Sequence, residues 1–322
     1  MKDVLVSIVV VTYNFEEVIV ETLESIKKQT YSKLELVITD DNSKDRTIDI
    51  CKKWIKKNKK RFENIIILEN KINVGPTKNY NIGLKAATGK WVKYISDDIM
   101  SPLFIENSIN IVNNNSNIEV LFSQSKSFFG EWNEQKFGEL FPENKDLFKY
   151  NLSSKEQLEY MLERCYVAAP TNFIKKSLLE EVGYCNERYK FFEDYPLWVK
   201  ILETGRRLYF NNEVNLFYRR WKKSVSYNNN NYLNKRQIEF HREYFNNEQK
   251  YKIKDKIKRF EKNLEIYRDE VIIKAGNKKQ TIYSKLLRYL QPSRYKKNKY
   301  KYGIFVLLLC GAFYLFKKNM NI

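Results

Sequence analysis

Short apolar runs alternate with helix-like segments along the first hundred residues of the chain. The runs, rich in β-branched residues, cover residues 4–11, 34–39, 64–69 and 91–95. Between them, apolar residues recur three or four positions apart, which is typical of amphipathic helices, in residues 16–29, 45–60 and 77–87. Strands that alternate with helices through short connections predict an α/β fold with a mostly parallel central sheet flanked by helices.

Two acidic pairs follow two of these predicted strands directly. Asp40 and Asp41 come after LELVIT, and Asp97 and Asp98 come after KWVKYIS. Because ligands of parallel sheets gather beyond the carboxyl ends of the strands, we expect both pairs to share one rim. There the Asp41 carboxylate could accept hydrogen bonds from a nucleobase or a ribose, although turn chemistry would explain the same residue equally well.

The adjacency of Asp97 and Asp98 favours a bound cation. Two neighbouring carboxylates at a strand end repel each other unless a positive charge lies between them, and hard oxygen ligands suit Mg²⁺ or Mn²⁺. Such a cation could neutralise a departing diphosphate. An acidic pair alone is a weak signal, since such pairs are common on protein surfaces.

A third acidic pair, Glu193 and Asp194, lies in the segment FFEDYPLWVKILETG. Apolar residues with helical spacing follow it, so the pair is predicted at the start of a helix. Carboxylates there stabilise the helix dipole, or they supply a general base. Farther back, Ser153 with Glu156 three residues later predicts the capped start of another helix.

Several motifs occur in a fixed order from about residue 7 to residue 226. They read SIVVVTYN, SIKKQTY, LELVITDDNSKDRT, NVGPTKNYNIGLKAATGKWVKYISDD, APTNFIKKSLLEEVGYCNERY, FFEDYPLWVKILETG and FYRRWKKSVS. In this order and spacing the chain resembles the family 2 glycosyltransferases of the GT-A fold, particularly the bacterial enzymes of capsule and exopolysaccharide assembly. The resemblance implies a GT-A domain over residues 1–226.

The resemblance also implies roles for individual residues. Asp194 corresponds to the catalytic base, with Glu193 beside it, and Asp98 with Asp97 corresponds to the metal-binding motif, for Mn²⁺ or Mg²⁺. The donor nucleotide would be bound by Thr12, Tyr13, Asn14, Glu16, Asp41, Asn73, Gly75, Lys78, Asn81, Asp97, Arg219 and Arg220.

The chain departs from the family pattern at three positions. Many members have an acidic residue where this chain has Ser96, so either Asp97 or Asp98 or both could be the metal ligand. Many have an arginine where this chain has Tyr80, and a histidine where it has Trp221. These departures leave open a noncatalytic member of the family.

The activity that the resemblance implies is that of an inverting, metal-dependent hexosyltransferase. It would move a sugar from a nucleotide-sugar donor, UDP-hexose or UDP-N-acetylhexosamine, to a hydroxyl of a saccharide acceptor. The acceptor is expected to be lipid-linked, and the product to enter cell-surface polysaccharide.

The charge of the chain points to an anionic partner. Its 58 lysine and arginine residues exceed its 39 acidic ones, a formal net charge of +19. Residues 251–301 hold 17 basic and 5 acidic residues, with apolar residues interleaved. A basic helical extension over residues 227–301 is therefore predicted, and it favours an anionic membrane surface or nucleic acid. Nucleic acid is the weaker alternative because it leaves the acidic rim unexplained.

The end of the chain is apolar. Residues 303–316 form a run of 14 uncharged residues, which is about 21 Å as a helix, against about 30 Å for a bilayer core. We expect residues 302–322 to anchor the protein at the cytoplasmic face of the bacterial cell membrane, peripherally or through this segment. Four cysteines without metal spacing and one histidine, His241, indicate free thiols and argue against a Ser-His-Asp triad.

Overall fold

The computed structural model describes residues 4–132 and 137–221, together with residues 239, 240 and 243. The strands are β1 (Val6–Thr12), β2 (Leu34–Asp40), β3 (Asn64–Glu69), β4 (Trp91–Ile95), β5 (Ile99–Met100), β6 (Val120–Phe129), β7 (Phe137–Phe141), β8 (Phe173–Lys175) and β9 (Tyr209–Arg220). The helices are α1 (Ile19–Lys27), α2 (Thr47–Asn58), α3 (Pro76–Ala86), α4 (Phe104–Asn114), α5 (Ser154–Glu163), α6 (Lys176–Glu181) and α7 (Asp194–Glu203). Short 3-10 helices cover Lys59–Arg61, Asn144–Asn151 and Ala169–Thr171.

One half of the sheet is parallel, as the alternating pattern predicts. The strands lie in the order β3-β2-β1-β4 and pair in parallel. The register aligns Thr12 with Asp40, and Asp40 with Glu69, so these strands end at one rim. The predicted helix starting at Ser153 is also confirmed, since Ser153 and Glu156 form a reciprocal capping box at α5.

The other half of the sheet is mixed, which the sequence pattern did not reveal. It continues from β4 in the order β8-β6-β9-β5, and β7 pairs with β6. β4 pairs antiparallel with β8, and β5 antiparallel with β9. β5 and β8 are only two and three residues long, too short for a strand period to show. After β6, residues 137–148 contain β7 and most of a 3-10 helix.

The central strands are buried along their whole length. Every residue of β1, β2 and β4 is buried, and a cluster that includes Ile8, Leu23, Leu36, Cys51 and Phe104 joins the sheet to α1, α2 and α4. Each large aliphatic side chain in such a core contributes about 1.5–3 kcal/mol. The sheet is therefore a rigid support for the loops at its rim.

Helix α3 packs unusually close to the sheet. A Cβ atom at Gly83 would lie 2.6 Å from Val9 Cγ1 and 2.8 Å from Thr39 Cγ2. No side chain can occupy that space without displacing β1 or β2, so glycine is required at this position. The close contact fixes where the first turns of α3 lie relative to the strand ends.

The predicted extension and apolar tail, residues 227–301 and 302–322, lie outside the described residues apart from 239, 240 and 243. In the part of the chain that the structure describes, no helix has the length and apolar character needed to cross a membrane.

Candidate active site

The loops after β1 and β2 are held together by their own polar groups. Thr12 Oγ1 donates to Asp40 Oδ1 at 2.8 Å, and the Ser43 N–H donates to Asp40 Oδ2 at 2.8 Å. Asn14 has a positive φ of 57°, accepts from the Lys44 N–H at 2.8 Å and donates its own N–H to Ser43 Oγ at 2.9 Å. Thr12 and Asn14, both predicted to bind the nucleotide, therefore shape the rim.

Asp41 organises the loop that leads into α3. Its carboxylate is 2% exposed and accepts hydrogen bonds from Asn70 Nδ2 at 3.0 Å and from the N–H groups of Val74 and Gly75, both at 2.8 Å. Asn73 Nδ2 donates to the Asp41 carbonyl at 3.2 Å. The carboxylate thus has three protein partners, which fits the turn chemistry that the sequence left open beside contact with a base or ribose.

The remaining residues predicted for the donor side have varied surroundings. Tyr13 is 41% exposed and Lys78 is exposed. Glu16 accepts from the backbone and the guanidinium of Arg46, at 3.2 and 3.1 Å. Asn81 is buried and exchanges hydrogen bonds with the backbone of Cys185, so it joins α3 to the segment before α7.

Asp97 and Asp98 lie just beyond β4 and are contacted by the end of β9. Trp221 Nε1 donates to Asp97 Oδ2 at 2.6 Å, and the Arg219 N–H donates to Asp98 Oδ1 at 2.9 Å. Ser96, at the position where many relatives are acidic, donates to the Val11 carbonyl at 3.2 Å. Both aspartates thus remain at the rim, and Ser96 is bound to β1.

The guanidinium of Arg219 is used for contacts within the protein. Its side chain is fully buried and donates to the Asp97 carbonyl, the Gly130 carbonyl and the Glu21 carboxylate at 2.7, 2.5 and 2.5 Å. All three nitrogens of its guanidinium therefore already have protein partners, and the prediction that Arg219 binds the donor nucleotide stays a prediction. Arg220, the other arginine predicted to bind the donor, is exposed.

Burial raises the proton affinity of Asp97 and Asp98. The pKa of Asp98 rises to about 8 because the carboxyl is buried and because the charge of Asp97 lies beside it. Burial also raises the pKa of Asp97, and the Trp221 hydrogen bond opposes the rise. Lys93, which sequence reasoning missed, is fully buried, and its pKa falls to about 7 through burial, opposed by Asp98. Two acids that resist ionisation side by side fit a site that a cation completes.

The residues at this rim fit a divalent cation as a partial ligand set. Among the described residues, no group of three or more His, Cys, Asp or Glu side chains is arranged to hold a metal. Mg²⁺ commonly takes one or two carboxylates and completes its shell with water and substrate phosphates. Asp97 and Asp98 would be those carboxylates.

Glu193 and Asp194 lie at the start of α7, after a strained turn. Phe191 has a φ of 59°, which is costly for a residue with an aromatic side chain and is often found near functional sites. Asp194 Oδ1 accepts from the Tyr195 N–H at 2.7 Å. Burial, together with the Asp194 charge, raises the pKa of Glu193 to about 8, and burial raises the pKa of Asp194. Carboxyl groups tuned toward neutral pH are suited to general-base catalysis.

Tyr80 is influenced by the charges of two acidic pairs, Asp97 with Asp98 and Glu193 with Asp194. Its pKa is raised well above the ordinary value by burial and then by the carboxylates of Glu193, Asp98, Asp97 and Asp194. One phenol therefore lies in the field of both pairs, which come from distant parts of the chain. The sequence marked Tyr80 only as a departure from a family pattern and did not indicate this position.

Comparison with known proteins identifies the family of this chain. The family model "Glycosyl transferase family 2" matches residues 7–183. The chain is 31% identical over 227 residues to the Escherichia coli UDP-Glc:alpha-D-GlcNAc-diphosphoundecaprenol beta-1,3-glucosyltransferase WfaP, which covers 70% of this chain and 80% of WfaP. It is also 30% identical over 205 residues to an uncharacterized glycosyltransferase of Haemophilus influenzae. That match covers 62% of this chain and 61% of the relative.

Solved structures share the fold. S. aureus TarS 1-349 in complex with UDP-GlcNAc matches with a TM-score of 0.60 and 18% identity, over 82% of this chain and 72% of that one. The mannosyltransferase PcManGT from Pyrobaculum calidifontis, in complex with GDP-Man and Mn²⁺, matches with a TM-score of 0.56 and 16% identity, over 97% and 80%. At these identities the likeness supports the α/β GT-A architecture alone.

Proposed function

The chain belongs to glycosyl transferase family 2, and from that premise we propose that it moves a hexose or N-acetylhexosamine from a UDP-sugar to a hydroxyl of a lipid-linked saccharide, with inversion. The observation that carries this proposal is that a chain of this family has two acidic pairs at the ends of structural elements, Asp97 with Asp98 beyond β4 and Glu193 with Asp194 at the start of α7. One pair suits the diphosphate end of a donor and the other suits an acceptor hydroxyl, so a sugar between them would be placed for transfer.

The choice of donor and acceptor rests on the relatives. WfaP is named for UDP-glucose and for an acceptor with a diphosphoundecaprenol lipid, and TarS was solved with UDP-GlcNAc. We propose the same classes of substrate for this chain. The rim between β1 and β2, with exposed Tyr13 nearby, would receive the nucleoside, and exposed Lys78 and Arg220 would supply positive charge to the diphosphate.

Asp97 and Asp98 would hold Mn²⁺ or Mg²⁺ together with the diphosphate. A divalent cation there neutralises charge on the departing nucleoside diphosphate. PcManGT, a fold neighbour, was solved with Mn²⁺ and GDP-Man. The Trp221 hydrogen bond to Asp97 and the Arg219 N–H bond to Asp98 would orient the two carboxylates, as the outer partners of metal ligands generally do.

The proposed reaction is a single displacement. Asp194 accepts the proton of the acceptor hydroxyl while that oxygen forms a bond to C1 of the donor sugar. The bond between C1 and the diphosphate oxygen breaks at the same time, and its electron pair leaves with the diphosphate. Attack from the face opposite the leaving group inverts the anomeric centre. Glu193 lies beside Asp194, and the charge of Asp194 adds to burial in raising the pKa of Glu193 to about 8.

We propose that the enzyme works at the cytoplasmic face of the bacterial cell membrane, in the synthesis of capsule or another surface polysaccharide. The formal charge of +19, with a basic segment ahead of an apolar one, supports attraction to anionic lipid. Each lysine or arginine near such a surface contributes about 1 kcal/mol. A lipid-linked acceptor would be met at the same surface.

A panel of nucleotide sugars tests the proposed function. The full chain is incubated with UDP-glucose, UDP-galactose, UDP-GlcNAc or GDP-mannose, Mn²⁺ or Mg²⁺, and an undecaprenyl-diphosphate-linked N-acetylhexosamine, and the lipid product is followed by mass spectrometry. The proposal expects one UDP-sugar to add one sugar unit in the presence of metal. Donor binding without transfer to this or other saccharide acceptors would indicate a noncatalytic family member. Salt-sensitive nucleic-acid binding without any nucleotide-sugar binding would favour the nucleic-acid alternative.

A further inference from the structure

Two buried polar groups near Tyr80 lack a hydrogen-bond partner within the described part of the chain. They are Tyr94 Oη and Glu193 Oε2, and the Tyr94 side chain is 4% exposed. Folded proteins pair nearly all buried polar groups, so each exception requires an explanation. No hydrogen bond of the described fold uses these two atoms, and the proposed proton transfer to Asp194 does not require the Tyr94 hydroxyl.

Three elements bring these groups together. Tyr80 lies on α3, one turn after Thr77, which donates to the Tyr189 carbonyl at 2.8 Å and so joins α3 to the segment that leads to Glu193. The Tyr80 ring meets the edge of the Tyr94 ring of β4, with the centroids 5.1 Å apart and the planes at 72°. Helix α3, strand β4 and the segment before α7 therefore converge on one small polar region.

This polar region lies between the two ends of the proposed reaction. Burial raises the pKa of Tyr80, and the carboxylates of Glu193, Asp98, Asp97 and Asp194 raise it further. The pKa of Tyr94 is also raised by burial, and Asp194 and Glu193 are among the charges that add to it. Tyr94 lies on β4 three residues before Asp97, and its ring contacts that of Tyr80. A sugar that reached from a diphosphate at Asp97 and Asp98 to an acceptor at Asp194 would therefore come near both tyrosines.

We propose that Tyr80, Tyr94 and Glu193 form the subsite that binds the hydroxyl groups of the transferred sugar. This inference rests on the proposed function and adds to it the residues that select the sugar. A phenol can donate a hydrogen bond, and a carboxyl oxygen can accept one whether or not the group is ionised, which matches a sugar hydroxyl that does both. With raised pKa values the two phenols stay protonated at neutral pH. Such a subsite discriminates strongly against a donor that lacks the hydroxyl.

Calorimetric titration separates the sugar from the nucleotide. The affinities of UDP, UDP-glucose, UDP-GlcNAc, GDP and GDP-mannose are measured, with Mn²⁺ present, for wild type, Tyr80→Phe and Tyr94→Phe. Tyr160→Phe on α5 is a matched control outside the site. We expect each site variant to weaken the preferred nucleotide sugar by about tenfold, the loss of one hydrogen bond, and to leave the free nucleotide within about twofold. The control should change neither affinity.

Thermal unfolding of Tyr94→Phe without ligand excludes a structural role for the hydroxyl. Because this hydroxyl has no hydrogen-bond partner among the described residues, the variant should melt at the wild-type temperature or above it. A lower melting temperature would show that the hydroxyl supports the fold and would overturn the inference.

The remaining outcomes are also decisive. Unchanged nucleotide-sugar affinity in both variants would mean that the region holds water alone, and an equal loss for sugar and free nucleotide would place it at the nucleotide; either result overturns the inference. If wild type binds no nucleotide of the panel, the proposed function fails first and the subsite fails with it.

Discussion

The indole Nε1 of Trp221 donates a hydrogen bond to Asp97 Oδ2 at 2.6 Å. This contact joins the residue after the last described strand to the acidic pair after β4. The Phe15 ring, from the loop after β1, lies 6.2 Å from the Trp221 ring. The position at which many relatives have a histidine is therefore used here to hold one of the two proposed metal ligands.

Trp221→Phe should weaken metal binding. The indole bond opposes the rise in the Asp97 pKa, so its loss makes the carboxylate harder to ionise, and a metal ligand must be ionised. We expect the apparent affinity for Mn²⁺, titrated calorimetrically with UDP present, to fall by about 10- to 100-fold. Trp54→Phe is the matched control, since Trp54 Nε1 donates to Glu24 Oε1 over the same distance of 2.6 Å. That hydrogen bond lies outside the acidic rim. Equal Mn²⁺ affinity in both variants would contradict this role.

Arg219 and Arg220 should separate stability from binding. Arg219→Lys keeps the charge, but one ammonium group cannot reach Asp97, Gly130 and Glu21 together, so we expect about 3 kcal/mol lower stability in urea unfolding. Exposed Arg220→Lys should change stability by less than about 0.5 kcal/mol. Arg220→Ala should weaken UDP binding at unchanged stability. A stable Arg219→Lys protein with impaired UDP binding would support Arg219 as the diphosphate contact.

Asp41→Asn should loosen the loop before α3. Asparagine offers one side-chain acceptor oxygen, and its amide N–H₂ would face a donor from Asn70, Val74 or Gly75. We expect the free energy of unfolding to fall by about 1–3 kcal/mol, because a buried donor is left unpaired. The exposed Asp49→Asn is the control. If instead only nucleotide affinity falls, Asp41 acts mainly on the base or ribose, as the family resemblance implied.

Glu193 should make the ligand-free protein less stable as the pH rises. Its pKa is about 8 in the folded protein, against an ordinary value of 4.5. Between pH 4.5 and about 8 the folded state therefore keeps a proton on Glu193 that the unfolded state has released. The associated stability is present below pH 4.5 and is lost as the pH rises through about 8. In melting curves from pH 4 to 9, the melting temperature of Glu193→Gln should therefore rise relative to that of wild type as the pH rises. Each kcal/mol of difference in stability corresponds to about 2–4 °C. Exposed Glu63→Gln should track wild type, and a parallel Glu193→Gln curve would contradict the assignment.

Local sequence signals predicted the parallel half of the fold. β1, β2 and β4 are buried on both faces and therefore appear in the sequence as continuous apolar runs. Ser153 and Glu156 predicted the capped start of α5. The acidic pairs were found because each follows a strand or begins a helix. Such signals lie within a few residues of one another.

The contacts that decide the roles of site residues join distant parts of the chain. Arg219 meets Glu21 across 198 residues, and Tyr80 meets Tyr94 where α3, with Gly83 in it, packs closely on β1 and β2. A single sequence offers no signal for such pairs. The motifs alone could therefore not show that Arg219 is enclosed or that Asp41 is bonded to the loop before α3.

The central claim is that this chain transfers a sugar with Asp194 as the base. The most direct test compares wild type and Asp194→Asn for sugar transfer to the lipid-linked acceptor, with donor affinity measured in parallel by calorimetry. A general base contributes about 10²- to 10⁴-fold, so the variant should lose that factor in turnover while binding the donor within about twofold of wild type. Near-normal turnover by Asp194→Asn would contradict the account.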